Sequence, residues 1–302
     1  MPDIYRFVQF PHPGGEQKPG RDGTVGWNKL HNPHKRKFMR VQGDYRIFKD
    51  GETHKNEKMD VWGEWEPESR VIAEFELEEQ CSHAPRYLWE PYWVARDSYW
   101  GLHNTDPFIF GDCFLYSNCR QTSQGGAGLR NLGKGSIMAF GSGKEIKGKR
   151  KWVLDTVFVV RDYIDYDPLN PLRKLEGKVP DCFLEVSIKP LRQNLRRNNG
   201  CINECSRLRL YRGATPDFPV NGMFSFFPAR LASKRSCFSR PAICLEETYF
   251  SPRNWQAPKG CALGGPNLGE GTRRSLWNSL VKQVKNEGLI LGTSAQLPKC
   301  RS

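Results

Sequence analysis

The side chains best suited to chemistry lie in Trp62-Gly63-Glu64-Trp65-Glu66 and in His103-Asn104-Thr105-Asp106-Pro107-Phe108 with Tyr116-Ser117-Asn118-Cys119-Arg120-Gln121. Aromatic faces, amides and carboxylates interleave there. A protein that acts on one base must take it out of the stack, clamp its ring and read its edge. Trp62, Trp65, Phe108 and Tyr116 are candidate clamps, and Asn104, Asn118 and Gln121 are candidate edge readers. Breaking an N-glycosidic bond builds positive charge on the sugar, which a carboxylate can stabilise while another acid protonates the departing base. Asp106 and Asp155 are the first catalytic candidates, with Glu64 and Glu66 next. Each has a plainer reading, since Asp106 before Pro107 can cap a turn and Asp155 can pair with an arginine.

Other chemistries fit less well. Cys201-x3-Cys205, Cys113-x5-Cys119 and His31-x2-His34 form no paired zinc signature. The glycine-rich stretch Gly125–Gly135 lacks the Lys-Ser/Thr of a nucleotide P-loop. There is no His-Glu-x-x-His, no Gly-x-Ser-x-Gly and no zinc-deaminase signature. Cys119 needs an activating base to serve as a nucleophile, and His103 is near only in sequence. The sequence therefore calls for no metal and no cofactor.

The elements that must position these groups are mostly strands. Ile4–Phe10 reads as a first strand ending at Pro11-His12-Pro13-Gly14-Gly15, followed by a long loop with a cationic rim of Lys29, His31, His34, Lys35, Arg36 and Lys37. Strands are expected at Phe38–Val41 and Asp60–Trp65, separated by the polar segment Lys49–Lys58, with Gly63 leaving room for a bulge. Ser69–Leu77 alternates as a half-buried strand. Ser136–Phe140 and Lys151–Val160 make a hairpin whose flexible tip, Gly141–Lys151, is basic. Cys182–Ile188 reads as a strand closing at Pro190, and a helix over about Thr272–Glu287 places Leu276, Leu280 and Val284 on one face. The expected fold is α+β: a β-rich mixed sheet or partly open barrel with few helices and a C-terminal amphipathic helix. It forms one elaborated domain over residues 1–302, with a subdivision, if any, near 162–180.

The chain has 302 residues, 38% of them hydrophobic, and 46 Lys+Arg against 33 Asp+Glu give a net charge of +13. An excess of this size concentrates polyanions at the surface, so nucleic acid is the expected partner. Lys144, Lys147, Lys149, Arg150 and Lys151 at the hairpin tip, with Arg196 and Arg197, are the candidate phosphate contacts. No run approaches the roughly 18 apolar residues of a membrane helix, and Met1–Arg6 lacks the order of a signal peptide, so a cytoplasmic setting is expected. The 10 cysteines are spread along the chain and read mostly as reduced thiols.

Trp62–Glu66, Asn104–Phe108, Ser117-Asn118-Cys119, Leu154–Phe158 and Gly222–Phe226 together resemble the nucleotide-modification-associated domain proteins, a group linked to hypermodified DNA bases and phage conflict. The resemblance implies DNA carrying modified bases as the target and a base-excising glycosylase used in defence. It assigns no catalytic residue. A non-catalytic base reader and a metal-dependent nuclease are the competing readings.

Overall fold

The computed structural model of the chain describes residues 3–12, 14–27, 34–47, 51–76, 84–102, 106–117, 119–121, 128–146, 148–197, 207–232, 237–245, 249 and 267–301. In chain order the strands are β1 (Phe7–Pro11), β2 (Thr24–Val25), β3 (Arg36–Arg46), β4 (Thr53–Glu64), β5 (Ser69–Glu74), β6 (Tyr87–Trp93), β7 (Leu115–Tyr116), β8 (Ile137–Ile146), β9 (Lys149–Tyr166), β10 (Leu208–Gly213), β11 (Phe227–Leu231), β12 (Ala242–Ile243), β13 (Ile290–Gly292) and β14 (Lys299–Cys300). The helices are α1 (Leu172–Leu175), α2 (Asp181–Phe183), a π-helical turn at Leu184–Ile188, α3 (Lys189–Arg197) and α4 (Glu270–Asn286).

The strands form two mixed sheets. The first runs β1-β8-β9-β10-β7, with β12 on β9; the second runs β13-β11-β4-β3-β6-β5-β2, with β14 on β6. Strand β13 also pairs with β3, curling that edge back without closing the whole sheet. Each sheet contributes residues to both hydrophobic cores: Phe7, Ile137, Phe38 and Trp62 enter one, while Phe10, Met138, Met39 and Val61 enter the other. This follows from the period of two along a strand, which sends neighbours to opposite faces. Helix α4 covers the first core with Leu276, Trp277, Leu280, Val281 and Val284 and stops at Gly288, whose φ of 71° is left-handed. The α+β, strand-dominated class and the C-terminal amphipathic helix are as the sequence indicates.

Several elements differ from expectation. Cys182–Ile188 is helical and leads into α3, not a strand. Its π-turn widens the backbone just ahead of Pro190, which has no N–H to donate. The segment between β3 and β4 is shorter than expected, because Thr53–Lys58 extends the β4 ladder opposite Gln42 to Arg46. Gly63 makes no bulge: Phe38, Lys37 and Arg36 pair in unbroken register with Trp62, Gly63 and Glu64. Most of the basic hairpin tip is ordered strand, with Lys144 opposite Lys151 and Ile146 opposite Lys149. Near 162–180, β9 continues through Tyr166 and pairs with β10.

The hairpin carries one irregularity that matters for the site. Phe140 faces Thr156 but Gly141 faces Leu154, so Asp155 is the extra residue of a bulge. Bulges re-aim a side chain at the cost of a ladder bond. Gly141 permits it, because a Cβ there would stand 2.2 Å from the Val153 carbonyl oxygen and 2.8 Å from Trp152 Nε1. Gly141→Ala should therefore destabilise the protein by about 1–3 kcal/mol through overpacking, measured as a lowered denaturant midpoint with unchanged m-value.

Candidate functional site

The site lies where the two sheets meet. Strand β1 ends beside the hairpin, Pro11 pairing with Gly141, and the His12 amide donates to the Gly141 carbonyl at 2.7 Å. His12 therefore sits next to the bulge that carries Asp155. From the second sheet, Arg36 opens β3 directly opposite Glu64 at the end of β4. His34 immediately precedes β3, and Glu66 lies two residues beyond Glu64. Arg240, just before β12, completes the group.

These residues form one chain of ionic contacts. Arg36 is 1% exposed; its Nε is 2.8 Å from Asp155 Oδ2 and its NH1 group donates to Glu64 Oε2. Arg240 reaches both Asp155 oxygens at 3.3 and 3.5 Å, Ser142 Oγ at 2.7 Å and the Gly14 carbonyl at 2.9 Å. His12 Nδ1 stands 2.5 Å from Glu64 Oε2. His34 Nδ1 stands 2.5 Å from Glu64 Oε1 and 2.8 Å from Glu66 Oε1. The side chains of Glu64 and Glu66 are 4% and 1% exposed, against 23% for His34, so His34 marks the solvent side.

Protonation divides along this chain. Burial would raise Glu64, but His12, Arg36 and His34 outweigh it and hold the carboxyl well below the usual range. Glu66 is pushed up to about 7, first by burial and then by the charge of Glu64. Burial opposes the charge on His34, yet Glu64 and Glu66 raise it to about 10. His12 goes the other way, because burial lowers it more than Glu64 can restore. Near neutral pH the pair Glu64/Glu66 thus holds one firm carboxylate and one carboxyl able to give or take a proton, the arrangement that acid–base chemistry needs.

Asp106 serves the site from behind. It is 1% exposed and accepts from the Ser117 amide at 3.2 Å and the Cys119 amide at 2.8 Å. Tyr116 Oη donates to the Cys119 carbonyl at 2.7 Å, so both backbone groups of Cys119 are fixed. The thiol lies 3.6 Å from His12 Nε2.

The aromatic candidates are placed differently. Trp65, Phe108 and Tyr116 are at most 1% exposed. Trp65 meets Phe110 edge-on with ring centroids 5.1 Å apart, and Tyr116 stacks on Tyr211 at 5.8 Å. Their faces are filled by the core instead of opening onto a pocket. Trp62 is 6% exposed, donates Nε1 to the Phe238 carbonyl at 2.7 Å and has Arg240 Cζ 5.6 Å from its ring centre, so it backs the arginine. Gln121 is buried with its amide spent on the Arg209 backbone, giving a bond of 2.8 Å and receiving one of 3.1 Å. Asn104, Asn118 and Lys147 lie outside the described residues, as do the side chains of Arg150, Arg196 and Arg197.

Two expectations about charge change. Arg36 and Lys37, read as loop-rim cations, are buried at 1% and 3%; Lys37 donates to the Pro67 carbonyl at 2.9 Å and Ser69 Oγ at 2.8 Å, and burial lowers it to about 7. Lys29 and His31 lie outside the described residues. Lys149 and Lys151 are exposed, whereas Lys144 is half-buried and lowered to about 8 by burial and then by Arg240. Lys144 therefore joins the exposed hairpin end to the site. Sequence reasoning missed His12, Arg36 and Arg240; the available signal was His12 directly after the first strand, between two prolines.

One group of metal-type ligands occurs among the described residues: His34, Glu64 and Glu66 offer atoms within 4.8 Å of one another. A divalent ion there must displace the proton of His34 and share Glu64 with Arg36. Thiols are found at Cys113, Cys119, Cys182, Cys237, Cys244 and Cys300. No helix of the described residues is long and apolar enough to cross a membrane.

Two stability measurements follow. Removing Arg36 takes the shared cation away from buried Glu64 and Asp155, so Arg36→Met should cost about 3–5 kcal/mol in denaturant unfolding. Glu66 has a folded-state pKa of about 7 against 4.5 for its ordinary value. The folded state thus holds the proton more tightly, a stabilisation complete below pH 4.5 and lost as pH rises through 7. Glu66→Gln removes that loss. Its stability relative to the parent should be constant below pH 4.5 and rise by about 3 kcal/mol by pH 7.5; a pH-independent difference between the two melts would contradict the assignment.

The chain shows no match to any protein-family model, to any curated protein or to any solved structure.

Proposed function

We propose that the protein binds DNA, takes up a flipped modified base and excises it by hydrolysing the N-glycosidic bond. The observation that carries this reading is the Glu64/Glu66 pair: two carboxyls at and just beyond the end of β4, sharing His34 Nδ1 at 2.5 and 2.8 Å, with Glu64 held well below the usual range and Glu66 raised to about 7. Glu66 gives its proton to the departing base. Glu64 stays ionised and supports the positive charge that grows on the sugar. Glu66, now a carboxylate, takes a proton from the attacking water and is reset. Asp155, gripped by Arg36 and Arg240, is a positioning residue for Arg36 and through it for Glu64.

Three further observations support the reading. The chain carries +13 net charge, and Lys149 and Lys151 stand exposed on the hairpin that leads through Lys144 to the site. His34, at 23% exposure, puts the acid–base pair within reach of solvent. The resemblance to nucleotide-modification-associated proteins points to modified DNA and to a role in phage defence, in a cytoplasmic setting. A second reading, a metal-dependent nuclease, is favoured by the ligand-type cluster of His34, Glu64 and Glu66.

The test is incubation of the purified protein with phage DNA containing modified bases, read as released base by mass spectrometry and as abasic sites by alkaline cleavage. Base release that survives a chelator and falls at least about 100-fold in Glu66→Gln is expected. Strand scission abolished by the chelator would instead assign a nuclease, and tight binding with intact DNA would assign a reader. Lys149→Glu with Lys151→Glu should weaken DNA binding and make the dependence of affinity on salt shallower by about 2 in log–log slope.

A further inference from the structure

Cys119 takes no part in the reaction just described, yet its surroundings are those of a nucleophile. Its Sγ lies 3.6 Å from His12 Nε2, and the opposite ring nitrogen of His12 lies 2.5 Å from Glu64 Oε2. The Glu64 carboxylate close to Nδ1 favours the proton on that nitrogen, and the tautomer it favours has Nε2 as the acceptor beside the thiol. The ring is held on its other sides by Phe10, with centroids 4.9 Å apart, by Phe140 at 5.7 Å and by His34 at 6.2 Å. The thiol is held as firmly, since Asp106 accepts from its amide at 2.8 Å and Tyr116 donates to its carbonyl at 2.7 Å. The next residue, Arg120, turns the chain with a φ of 65°, a conformation that non-glycine residues seldom take and that clusters at functional sites.

We propose that Cys119, His12 and Glu64 form a nucleophilic triad and that the protein carries a thiol-dependent acyl-transfer activity toward carboxylic esters or amides. His12 Nε2 takes the proton from Sγ as sulfur bonds to the carbonyl carbon. The bond from that carbon to the alcohol or amine breaks, and the leaving group takes the proton from Nε2. Water then attacks the thioester carbonyl, giving a proton to Nε2 and releasing the carboxylic acid, and the thiol recovers its proton. Glu64 does not touch the substrate; it is a positioning residue for His12.

The groups facing the dyad suit this chemistry. Glu64 receives its compensating charge from Arg36 and His34 on the second sheet. Two other described thiols differ: Cys182 is buried and its thiol is pushed up by burial, as is that of Cys113. Cys119 is partly exposed, as a reacting thiol must be. The triad approaches Glu64 through Oε2, whereas His34 approaches through Oε1.

The full-length chain provides its own reference, because Cys244 and Cys300 are exposed thiols in the same molecule. At pH 7 with limiting iodoacetamide, peptide mapping should show Cys119 alkylated at least about tenfold faster than either. With p-nitrophenyl acetate, a burst of p-nitrophenolate equal to the protein concentration should leave an acetyl group on Cys119. His12→Asn should remove the rate advantage while Cys244 and Cys300 react as before, and Cys119→Ser should remove the burst. If Cys119 alkylates no faster than the two reference thiols, or alkylates fast but is never acetylated, the proposal fails. That comparison needs only the unmutated protein, so a variant that does not fold cannot leave the question open.

Discussion

The structure depends on one buried guanidinium. Arg36 is 1% exposed and lies between Glu64 of the second sheet and Asp155 of the first. An isolated charge at that depth costs several kcal/mol even after relaxation, and a pair repays it only with good geometry. Three features of the fold supply that geometry. The unbroken register of β3 and β4 puts Arg36 directly across from Glu64, the bulge in β9 turns Asp155 toward the same point, and Arg240 supplies a second cation, so that two arginines balance Glu64 and Asp155. Arg36 therefore ties the two sheets together by a buried ionic contact as well as by apolar packing.

The same contact explains the difference between Glu64 and Glu66. The two residues lie only two apart, yet Glu64 alone meets Arg36 and His12. Glu66 has His34, and burial followed by the charge of its ionised neighbour raises it to about 7. A carboxyl pair with identical chemistry is thereby split by position, and the split follows from where His12 and the cross-strand Arg36 stand.

Much of this frame was legible in the sequence, and the rest was hidden for identifiable reasons. The long hairpin and α4 have strong, simple periods, and a carboxylate within the apolar run Trp152–Val160 had to be paired or at a pocket, which drew attention to Asp155. Glu64 and Glu66 stood out by spacing. Their cationic partners did not, because Arg36 and Arg240 lie in stretches dense in Lys and Arg, where charge density suggests surface. Burial of one member of such a run is decided by a tertiary partner from another strand. His12 was hidden among turn residues, and its role appears only when β1 pairs with β8 and brings it beside the bulge. The aromatic residues misled in the opposite direction, since Trp65, Phe108 and Tyr116 interleave with polar groups in sequence but turn into the core in three dimensions. The helix at Asp181–Arg197 was obscured by alternation through Cys182–Ile188 and by Pro190, which the π-turn accommodates.

Asp106 shows how the distant parts of the chain are coupled. It fixes the Cys119 amide, and the Cys119 thiol meets His12, which meets Glu64. From Glu64 the contacts pass through Arg36 to Asp155 and Arg240. Residues as far apart in sequence as His12 and Arg240 are therefore linked by a run of direct polar contacts. Each link fixes the orientation of the next, because a carboxylate or imidazole held on one side has a restricted choice on the other. The contact of thiol with imidazole and the contacts of Arg36 thus meet at a single carboxylate, Glu64.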